Sequence, residues 1–360
     1  MISRILVVLG CNTHWAPYYY RYEKQFIENN ILFDVVIWDR ENISETLAAN
    51  TVYKFKLQDQ SNNHNAFKVL KFFQFASFVK KTIVNNRYEK IIFLGWAGCA
   101  ATLNSRLLKR NYKYKYLLDI RDYHYEWCFP YFLLEKMVIN NSYATMISSF
   151  GFKSFLPDHH YYINHNVASD INVVSRRFKK TKDNCIRISF IGNVRYLDEN
   201  KQLLEVFAND HRFRLQYFGY GSEIIRKFCD NNKITNVEFH EKFDKEDTVL
   251  FYNKTDIINN VYGNRKTETK TALSNKLYYG IYLKLPILVS SNTYMESIVN
   301  RYKIGLAFEY NKKFPDILYD WYENEKNKIN LEHNYVILLS KVMSDQKKVD
   351  ELLLEFCKSK

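Results

Sequence analysis

The sequence is poor in the residues that most often mark turns, cross-links and metal sites. Among 360 residues there are 10 glycines, 5 prolines and 6 cysteines. The cysteines form no C-x-x-C pair and no histidine stands at zinc-finger spacing, which argues against a disulfide scaffold or a structural zinc site. We read them as reduced thiols. The apolar run Ile5–Leu9 is too short for a signal sequence, and no stretch approaches the roughly 18 apolar residues of a membrane span. We therefore expect a cytoplasmic protein.

Familiar catalytic and nucleotide-binding fingerprints are missing as well. The first strand is followed by GCNTHW rather than G-x-G-x-x-G, and G-x-x-x-x-G-K-[ST] does not occur. There is no H-E-x-x-H, no G-x-S-x-G and no set of kinase motifs. These absences count against a classical dinucleotide dehydrogenase, a P-loop nucleotidase, a zinc protease and an α/β-hydrolase.

What is present is typical of a globular chain with two cores. Apolar residues make up 47% and charged residues 25%, and 360 residues fit two domains of ordinary size. Lysine and arginine outnumber aspartate and glutamate by 52 to 39, giving a net charge of +13. Such an excess favours an anionic partner: a lipid surface, nucleic acid or a phosphorylated substrate.

Much of the positive charge lies in one segment from Lys68 to Lys115, where Glu89 is the only acidic residue. Aromatic residues alternate with lysines in LKFFQFASFVKK and RLLKRNYKYKY, a pattern that suits the interface of an anionic membrane. We predict docking to the inner face of the plasma membrane; the alternative is an ordinary amphipathic helix with solvated lysines. Nucleic acid ranks low because no helix-turn-helix or RNA-recognition pattern supports it. The basic residues are Lys68, Lys71, Lys80, Lys81, Arg87, Lys90, Arg106, Lys109, Arg110, Lys113 and Lys115.

Short apolar runs alternate with helix-length segments, which predicts an α/β fold with parallel sheets covered on both faces. Expected strands in the first half are 5–9, 33–38, 52–57, 91–94, 116–120 and 144–147, with helices at 67–84, 102–109 and 131–140. Expected strands in the second half are 186–191, 213–218, 237–240, 256–261, 286–289 and 304–308. We predict two Rossmann-like βα domains, 1–165 and 185–345, joined by a basic polar linker at 166–184 and followed by a C-terminal helix at 346–360.

Four of the scarce glycines, Gly10, Gly95, Gly192 and Gly219, directly follow predicted strands. Ligands of doubly wound sheets bind at the carboxyl ends of the strands, and a residue without Cβ lets backbone approach them. We therefore expect a ligand cleft between the domains. The alternative is tight-turn geometry that needs no ligand.

The second half holds the most specific combination of residues. In ISFIGNVRYLDENKQLLEVF, Asn193, Arg195 and Lys201 occupy a loop and helix start after a strand, which suits a diphosphate, although such cations are often only solvated. The next loop, FGYGSE, contains Gly219 and Gly221 and could support the base of a nucleotide. SNKLYYGIYLKLPILVSS follows, with Asn275 and Lys276 at a helix start.

This last run resembles the P-S-K-L-x-E-Y-x-x-x-G-K-P-V-I segment of GT-B glycosyltransferases, especially family 4 enzymes of capsule and exopolysaccharide synthesis. FIGNVRYLDENKQLLE and FGYGSE are similar to the start of their donor domain, YLLDIRDYHYE to a D-x-R-D segment, and YYINHNV to the strand before their linker. The resemblance covers most of the chain in order, through degenerate motifs.

The resemblance implies a GT-B fold with two Rossmann-like domains facing across a cleft, a nucleotide sugar in the C-terminal domain and an acceptor in the N-terminal one. Arg195 and Lys201 would contact the diphosphate, which makes a metal or other cofactor unnecessary. The implied donor residues are Gly192, Asn193, Arg195, Lys201, Gly219, Gly221, Tyr262, Asn275, Lys276 and Tyr279. The implied acceptor-side residues are Gly10, Asn12, Trp15, Asp119 and Arg121.

Three residues are candidates for the chemistry itself: His14, Asp122 and Arg195. His14 follows a strand-end glycine and could act as a base or be a surface histidine. Asp122 could be a general base, or could only pair with Arg121 or a helix start. His159, His160 and His165 lie near a strand without metal-site spacing, so we assign no metal.

The chain departs from the family pattern at two positions. Tyr279 stands where the family has a ribose-binding glutamate, and Lys284 replaces a glycine. Glu268 is a substitute for the glutamate by proximity in sequence. The expected function is transfer of a sugar from a nucleotide diphosphate, a UDP-sugar above all, to a lipid-linked glycan in surface polysaccharide synthesis, with retention favoured by the family likeness. Alternatives are a silent partner subunit of another glycosyltransferase, a GT-B-fold sugar-nucleotide epimerase and, ranked low, a nucleic-acid-binding protein.

Overall fold

A computed structural model describes residues 4–57, 65–167, 185–241, 243–244, 247–325 and 329–359. The chain divides into two compact units, one made of residues 1–165 with 343–360 and the other of residues 166–342. Residues 168–184, most of the predicted linker, lie outside the described residues.

The first unit is a parallel sheet covered by helices. Its strands are β1 (Ile5–Leu9), β2 (Phe33–Asp39), β3 (Val52–Lys56), β4 (Lys90–Leu94), β5 (Tyr116–Ile120), β6 (Ala144–Ile147) and β7 (Tyr161–Ile163). Its helices are α1 (Tyr19–Glu28), α2 (Asn65–Asn86), α3 (Ala97–Leu103), α4 (Ser105–Asn111) and α5 (Phe129–Asn141). Over the described residues, seven strands pair in the order β3-β2-β1-β4-β5-β6-β7. β1 and β4 are buried along their whole length, as continuous apolar strands of a parallel sheet must be.

The second unit repeats the plan. Its strands are β8 (Ile186–Ile191), β9 (Phe213–Phe218), β10 (Val237–His240), β11 (Ile257–Asn260), β12 (Ile287–Ser290) and β13 (Gly305–Phe308). Its helices are α6 (Leu197–Val206), α7 (Ser222–Asn232), α8 (Thr248–Tyr252), α9 (Thr267–Thr271), α10 (Asn275–Leu283), α11 (Tyr294–Tyr302) and α12 (Phe314–Glu325). The described strands pair in parallel in the order β10-β9-β8-β11-β12-β13.

In both sheets the strand order reverses beside the first strand, between β1 and β4 and between β8 and β11. Loops leaving the carboxyl ends of two such neighbours diverge and leave a crevice, which is where doubly wound sheets bind ligands. These two points are therefore the places in the two units where a ligand is expected.

The C-terminal helix is longer than the sequence pattern predicted. Instead of a separate helix at 346–360, one helix, α13, runs from Ile329 to Lys358. Tyr335 and Val342 belong to a core of the second unit, and Leu353 and Phe356 to the core of the first. The buried positions recur every three or four residues without a break, so a single helix serves both cores.

Two other predictions differ in detail from the structure. The helix expected at 102–109 is two short helices, α3 and α4, because the chain turns at Asn104, whose side-chain amide donates to the carbonyls of Ala76 and Ala100. β7 has only three residues, of which two are half-buried, too little apolar alternation for a strand prediction from hydrophobicity. Across the described residues, we find no helix that combines the length and hydrophobicity of a membrane span.

Candidate functional site

The loops that follow β8 and β9 pack directly on one another. The amide of Gly192 donates to the carbonyl of Phe218 over 2.8 Å, and the amide of Val194 donates to the carbonyl of Tyr220 over 2.8 Å. Gly219 has φ +134°, and a Cβ there would lie 2.1 Å from the carbonyl oxygen of Gly192. Loop packing by itself therefore requires glycine at this position, independently of any ligand.

The loop after β8 carries Asn193 and Arg195 on the surface, in front of α6. Lys201 lies one turn into α6, half-buried, with its ammonium 5.6 Å from the ring centre of Phe228. The first turn of α6 contains Asp198 and Glu199, whose negative charges offset the positive end of the helix dipole. An anion at this loop would therefore depend on cationic side chains rather than on the helix end.

Several charged groups lie near Tyr196, which follows β8 at the point where the strand order of the second sheet reverses. Its ring stacks on Tyr262, with ring centres 4.5 Å apart. Burial and then Tyr262 raise the pKa of Tyr196, Arg195 lowers it, and Glu268 and Glu199 raise it further. The predicted residue Arg195 is close enough to lower the pKa of both Tyr196 and Tyr262, and Glu268 is close enough to raise that of Tyr196.

Lys276 is a buried cation of this region, and its pKa is strongly lowered. Its ammonium donates to the hydroxyl of Tyr262 over 2.6 Å and lies 3.7 Å from the ring centre of Phe190. The side chain is buried, and that burial lowers the pKa of Lys276 to about 7. Ser274 caps the start of α10, where its hydroxyl accepts a hydrogen bond from the Lys276 amide. Lys276 therefore lies behind Tyr262 rather than on the surface.

The other predicted residues of α10 have different surroundings. Asn275 is exposed and accepts a hydrogen bond from Asn166 over 2.7 Å. Tyr279 is buried, its ring stacked on Tyr252 at 4.4 Å, so the position of the family glutamate is part of an aromatic core. α10 ends at Lys284 with φ +55°, a conformation that favours the glycine of the family pattern.

Among the described residues of the second unit, two pockets bear on the candidate site. One, of about 350 Å³, lies at the carboxyl ends of β11, β12 and β13 and is lined by Glu199, Gly263, Asn264, Ser290 and Tyr310 among others. The other, of about 480 Å³, lies at the carboxyl end of β10. Its lining residues are His240, Phe243, Asp244, Asp247, Leu250, Phe251 and Lys254. None of these residues was a candidate from the sequence; the polar residues that follow the VEFH strand, β10, were the available signal.

In the first unit, the loop after β1 is held by carboxylates from the end of β2 and from the segment that follows it. Asn12 is fully buried, and its amide donates to Asp39 and to Glu45, each over 3.0 Å. Glu41 accepts from the Trp15 indole over 2.7 Å and lies 3.2 Å from the His14 imidazole. Both ring side chains are about half exposed, so His14 and Trp15 form a fixed surface pair while Asn12 is structural.

Asp119 and Arg121 form a buried ion pair, with the guanidinium Nη2 2.7 Å from the carboxylate. Tyr22 donates to the same carboxylate oxygen over 2.6 Å and Asn164 over 2.9 Å. This network ties β5 to α1 and to the end of β7, which is a structural task. Asp122, the next residue, is exposed. Sequence reasoning could not separate these neighbours because their burial depends on distant residues.

The basic segment from Lys68 to Lys115 does not form one surface. Lys90 is buried and donates to the carbonyls of Phe356 and Cys357 at the end of α13, so its inclusion in an exposed patch was wrong. The side chain of Lys68 lies outside the described residues. Exposed cations lie near the C-terminal ends of α2 and α4, which lead into β4 and β5 and therefore lie at the amino edge of the sheet. The loop that contains His14 leaves the opposite, carboxyl edge.

A buried titratable cluster beside α5 was missed altogether. Glu135 is buried, and burial together with the neighbouring Glu126 raises the pKa of its carboxyl group. Burial, with the charge of Arg40, lowers the pKa of His124 to about 4. His165, by contrast, pairs with Asp345 of α13 at 3.3 Å, a structural contact. No sequence spacing distinguishes such groups from solvated ones.

Solved structures with the same architecture match nearly the whole chain. Sucrose-phosphate synthase from Thermosynechococcus elongatus has a TM-score of 0.69 and 11% identity, covering 98% of this chain and 99% of that one. HepE from Anabaena, solved with UDP and glucose, has a TM-score of 0.63 and 11% identity, covering 98% and 99%. The fold is GT-B. The predicted fold class of two Rossmann-like α/β domains is thereby confirmed.

The GT-B fold is shared by proteins with different activities. UDP-GlcNAc 2-epimerase from Neisseria meningitidis, bound to UDP-GlcNAc, has a TM-score of 0.54 and 14% identity, covering 95% of this chain and 100% of that one. No protein-family model matches the sequence, and no curated protein does. At such low identities the likeness establishes the GT-B fold alone, and function depends on the site.

Proposed function

We propose that the chain is a glycosyltransferase that takes a sugar from a nucleotide diphosphate donor bound to its second unit. The observation that carries the proposal is the meeting of Arg195, Tyr262 and Lys276 at the point where the strand order of that sheet reverses. HepE was solved with UDP and glucose, and the Neisseria meningitidis epimerase with UDP-GlcNAc, which supports a UDP-sugar as donor.

In the proposed reaction the cationic side chains stabilise the departing diphosphate. Arg195 and Lys201 would contact its oxygens, and no metal is required for that role. Gly192, Asn193, Gly219 and Gly221 would supply the backbone surface beneath the nucleotide. Asn275 would face the donor at the start of α10. Retention of configuration is the outcome favoured by the resemblance to family 4 enzymes.

The acceptor is proposed to bind to the first unit, at the loop that follows Gly10. Trp15 offers an exposed indole for stacking on a sugar ring, and Glu41 fixes its orientation. His14 beside it and the exposed Asp122 are the candidate bases for the acceptor hydroxyl. We propose a lipid-linked glycan of surface polysaccharide synthesis as the acceptor.

Binding to an anionic membrane remains part of the proposal, with the exposed cations Lys109 and Arg110 of α4 as its contacts. Vesicles that contain phosphatidylglycerol should co-sediment the protein more strongly than phosphatidylcholine vesicles. The double variant Lys109→Glu, Arg110→Glu should abolish that difference. Equal sedimentation with both lipids would reject the membrane contact while leaving the transferase proposal intact.

A second candidate function is epimerisation of a nucleotide sugar, favoured by the structural likeness to UDP-GlcNAc 2-epimerases. An epimerase converts UDP-GlcNAc without an acceptor, whereas a transferase releases UDP only when an acceptor is present. A third candidate, a silent partner subunit, follows from Tyr279, whose phenol supplies no charge for a ribose. Purification with a second glycosyltransferase and no nucleotide binding in isolation would favour it.

The deciding experiment is a titration of the protein with UDP, GDP, CMP and the common sugar nucleotides, with and without EDTA. We expect binding of one diphosphate family that EDTA does not change. Arg195→Ala should weaken that binding at least about tenfold, because a charge-assisted contact is worth about 1.5–3 kcal/mol. Arg301→Ala, an exposed arginine at the end of α11 and the opposite edge of the sheet, is the matched control. Unchanged affinity in Arg195→Ala would refute its role.

A further inference from the structure

The loop that carries Arg195 has a backbone conformation that needs outside support. Tyr196 adopts φ +57° and ψ +55° immediately before α6, and no side chain caps the helix there. A residue with a Cβ is strained in this left-handed region, and such residues persist only where the surroundings over-determine them. Because Arg195 is exposed, its own side chain does not supply that support.

Asn200, which lies on α6 and is fully buried, supplies the support. Its side-chain amide donates one hydrogen bond to the carbonyl of Arg195 and one to the carbonyl of Tyr196, each over 3.0 Å. Both hydrogens of the Asn200 side-chain amide therefore bond to the backbone of Arg195 and Tyr196, the two residues directly before α6. Aspartate or leucine in its place would leave both carbonyls without this donor.

The same amide is joined to the neighbouring strand. Asn259 of β11 is 1% exposed and donates from its side chain to the Asn200 side-chain oxygen over 3.1 Å. The Asn259 oxygen in turn accepts from the amide of Val261 over 3.0 Å. A buried chain of hydrogen bonds thus runs from the loop of Arg195 to the loop of Tyr262, across the point where the strand order reverses.

We infer that Asn200 and Asn259 are positioning residues that hold the Arg195 loop and the Tyr262 loop in one geometry for the donor diphosphate. The inference rests on the proposed function for the ligand, but not for the coupling of the loops. Neither asparagine touches the ligand in this role. A buried polar chain with nearly every donor and acceptor satisfied is well suited to fix two loops relative to each other.

Two measurements on Asn200→Ala test the inference: amide hydrogen exchange by mass spectrometry, and titration with UDP or whichever nucleoside diphosphate the wild type binds. Asn104→Ala is the matched control, since Asn104 is also buried and its amide also donates to two carbonyls, those of Ala76 and Ala100, in the first unit. Asn104→Ala removes two side-chain hydrogen bonds and Asn200→Ala removes three, the third being the bond from Asn259, so a loss of overall stability of similar size, somewhat larger for Asn200→Ala, is expected.

Asn200→Ala should speed exchange about tenfold or more at residues 193–196 and 261–264, and leave peptides of β10 and α12 unchanged. It should also weaken nucleotide binding about tenfold, because a displaced loop would cost the nucleotide about one well-made contact. Asn104→Ala should do neither. If Asn200→Ala does not fold, Asn259→Ala, which removes the bond to Asn200 and the bond from the Val261 amide, takes its place with the same expected pattern.

Faster exchange spread evenly over the second unit, or nucleotide affinity no lower than in Asn104→Ala, would overturn the positioning role. Failure of the proposed function looks different, because the wild-type protein itself would then bind no nucleotide. In that case the exchange pattern alone decides whether the two asparagines couple the loops.

Discussion

Replacing Lys276 by methionine should make the second unit more stable at neutral pH and remove part of its pH dependence. Burial lowers the pKa of this amine from 10.5 to about 7 in the folded protein. At about 1.4 kcal/mol for each pKa unit, keeping the ammonium charged in the fold costs about 5 kcal/mol. Methionine fills a similar volume without that cost, although it gives up the hydrogen bond to Tyr262, worth about 1 kcal/mol.

The direction of the pH effect follows from proton binding. Between about pH 7 and pH 10.5 the unfolded lysine holds more protons than the folded one, so the free energy of unfolding rises with pH in that window. The penalty carried by Lys276 falls from about 4 kcal/mol at pH 7 to about 2 kcal/mol at pH 9. The stability advantage of Lys276→Met should therefore shrink by about 2 kcal/mol between these two pH values.

Scanning calorimetry of both proteins at pH 7 and pH 9 measures this difference. For a unit of this size, about 2 kcal/mol corresponds to roughly 4–8 °C in the melting temperature. Other titrating groups are common to both proteins and cancel in the comparison. An advantage of Lys276→Met that is equal at the two pH values, or a variant less stable at both, would refute the argument from burial.

Other substitutions test other parts of the structure. Lys284→Gly should stabilise the second unit by about 1 kcal/mol, since glycine suits φ +55°; Lys284→Ala is the control for the exposed ion pair with Glu332, and equal melting temperatures for the two variants would contradict the strain. Because the folded-state pKa of Glu135 is raised, its protonated form stabilises the fold at low pH, and stability should fall as the pH rises above about 5. Glu135→Gln should flatten that slope in urea titrations at several pH values, and an unchanged slope would count against it. Lys90→Met should lower the melting temperature of the first unit by several degrees, because the carbonyls at the end of α13 lose their donor, whereas exposed Lys80→Met should change little in the same thermal scan.

The strands and their class were accessible from sequence because the signal is local. β1 is a continuous apolar run, and β5 and β8 are apolar apart from Asp119 in β5 and Arg187 and Ser189 in β8; burial on both faces of a parallel sheet is the state in which such runs are stable. Glycines at strand ends likewise mark the carboxyl edge. At Gly219 the reason is a close approach of two loops, which sequence position alone suggests but cannot distinguish from ligand binding.

The structure brings several predicted residues of the candidate site near one another, in surroundings that the sequence does not predict. Arg195, Tyr262 and Lys276 do meet at one edge, as the order of loops in a doubly wound sheet requires. Whether each side chain faces solvent depends on what packs on it. The ammonium of Lys276 packs on the ring of Phe190, 86 positions earlier in the chain. Nothing near Lys276 in the sequence predicts that contact.

The sequence by itself therefore determined the two βα units, their parallel strands and the carboxyl edge where we expect the ligand, because these follow from hydrophobic runs and turns a few residues long. Only the tertiary structure decided which polar groups are buried. Lys90 meets the end of α13 across more than 260 residues, and Asn200 joins two loops through Asn259. Burial, and with it charge state and function, is a property of packing between segments far apart in the chain.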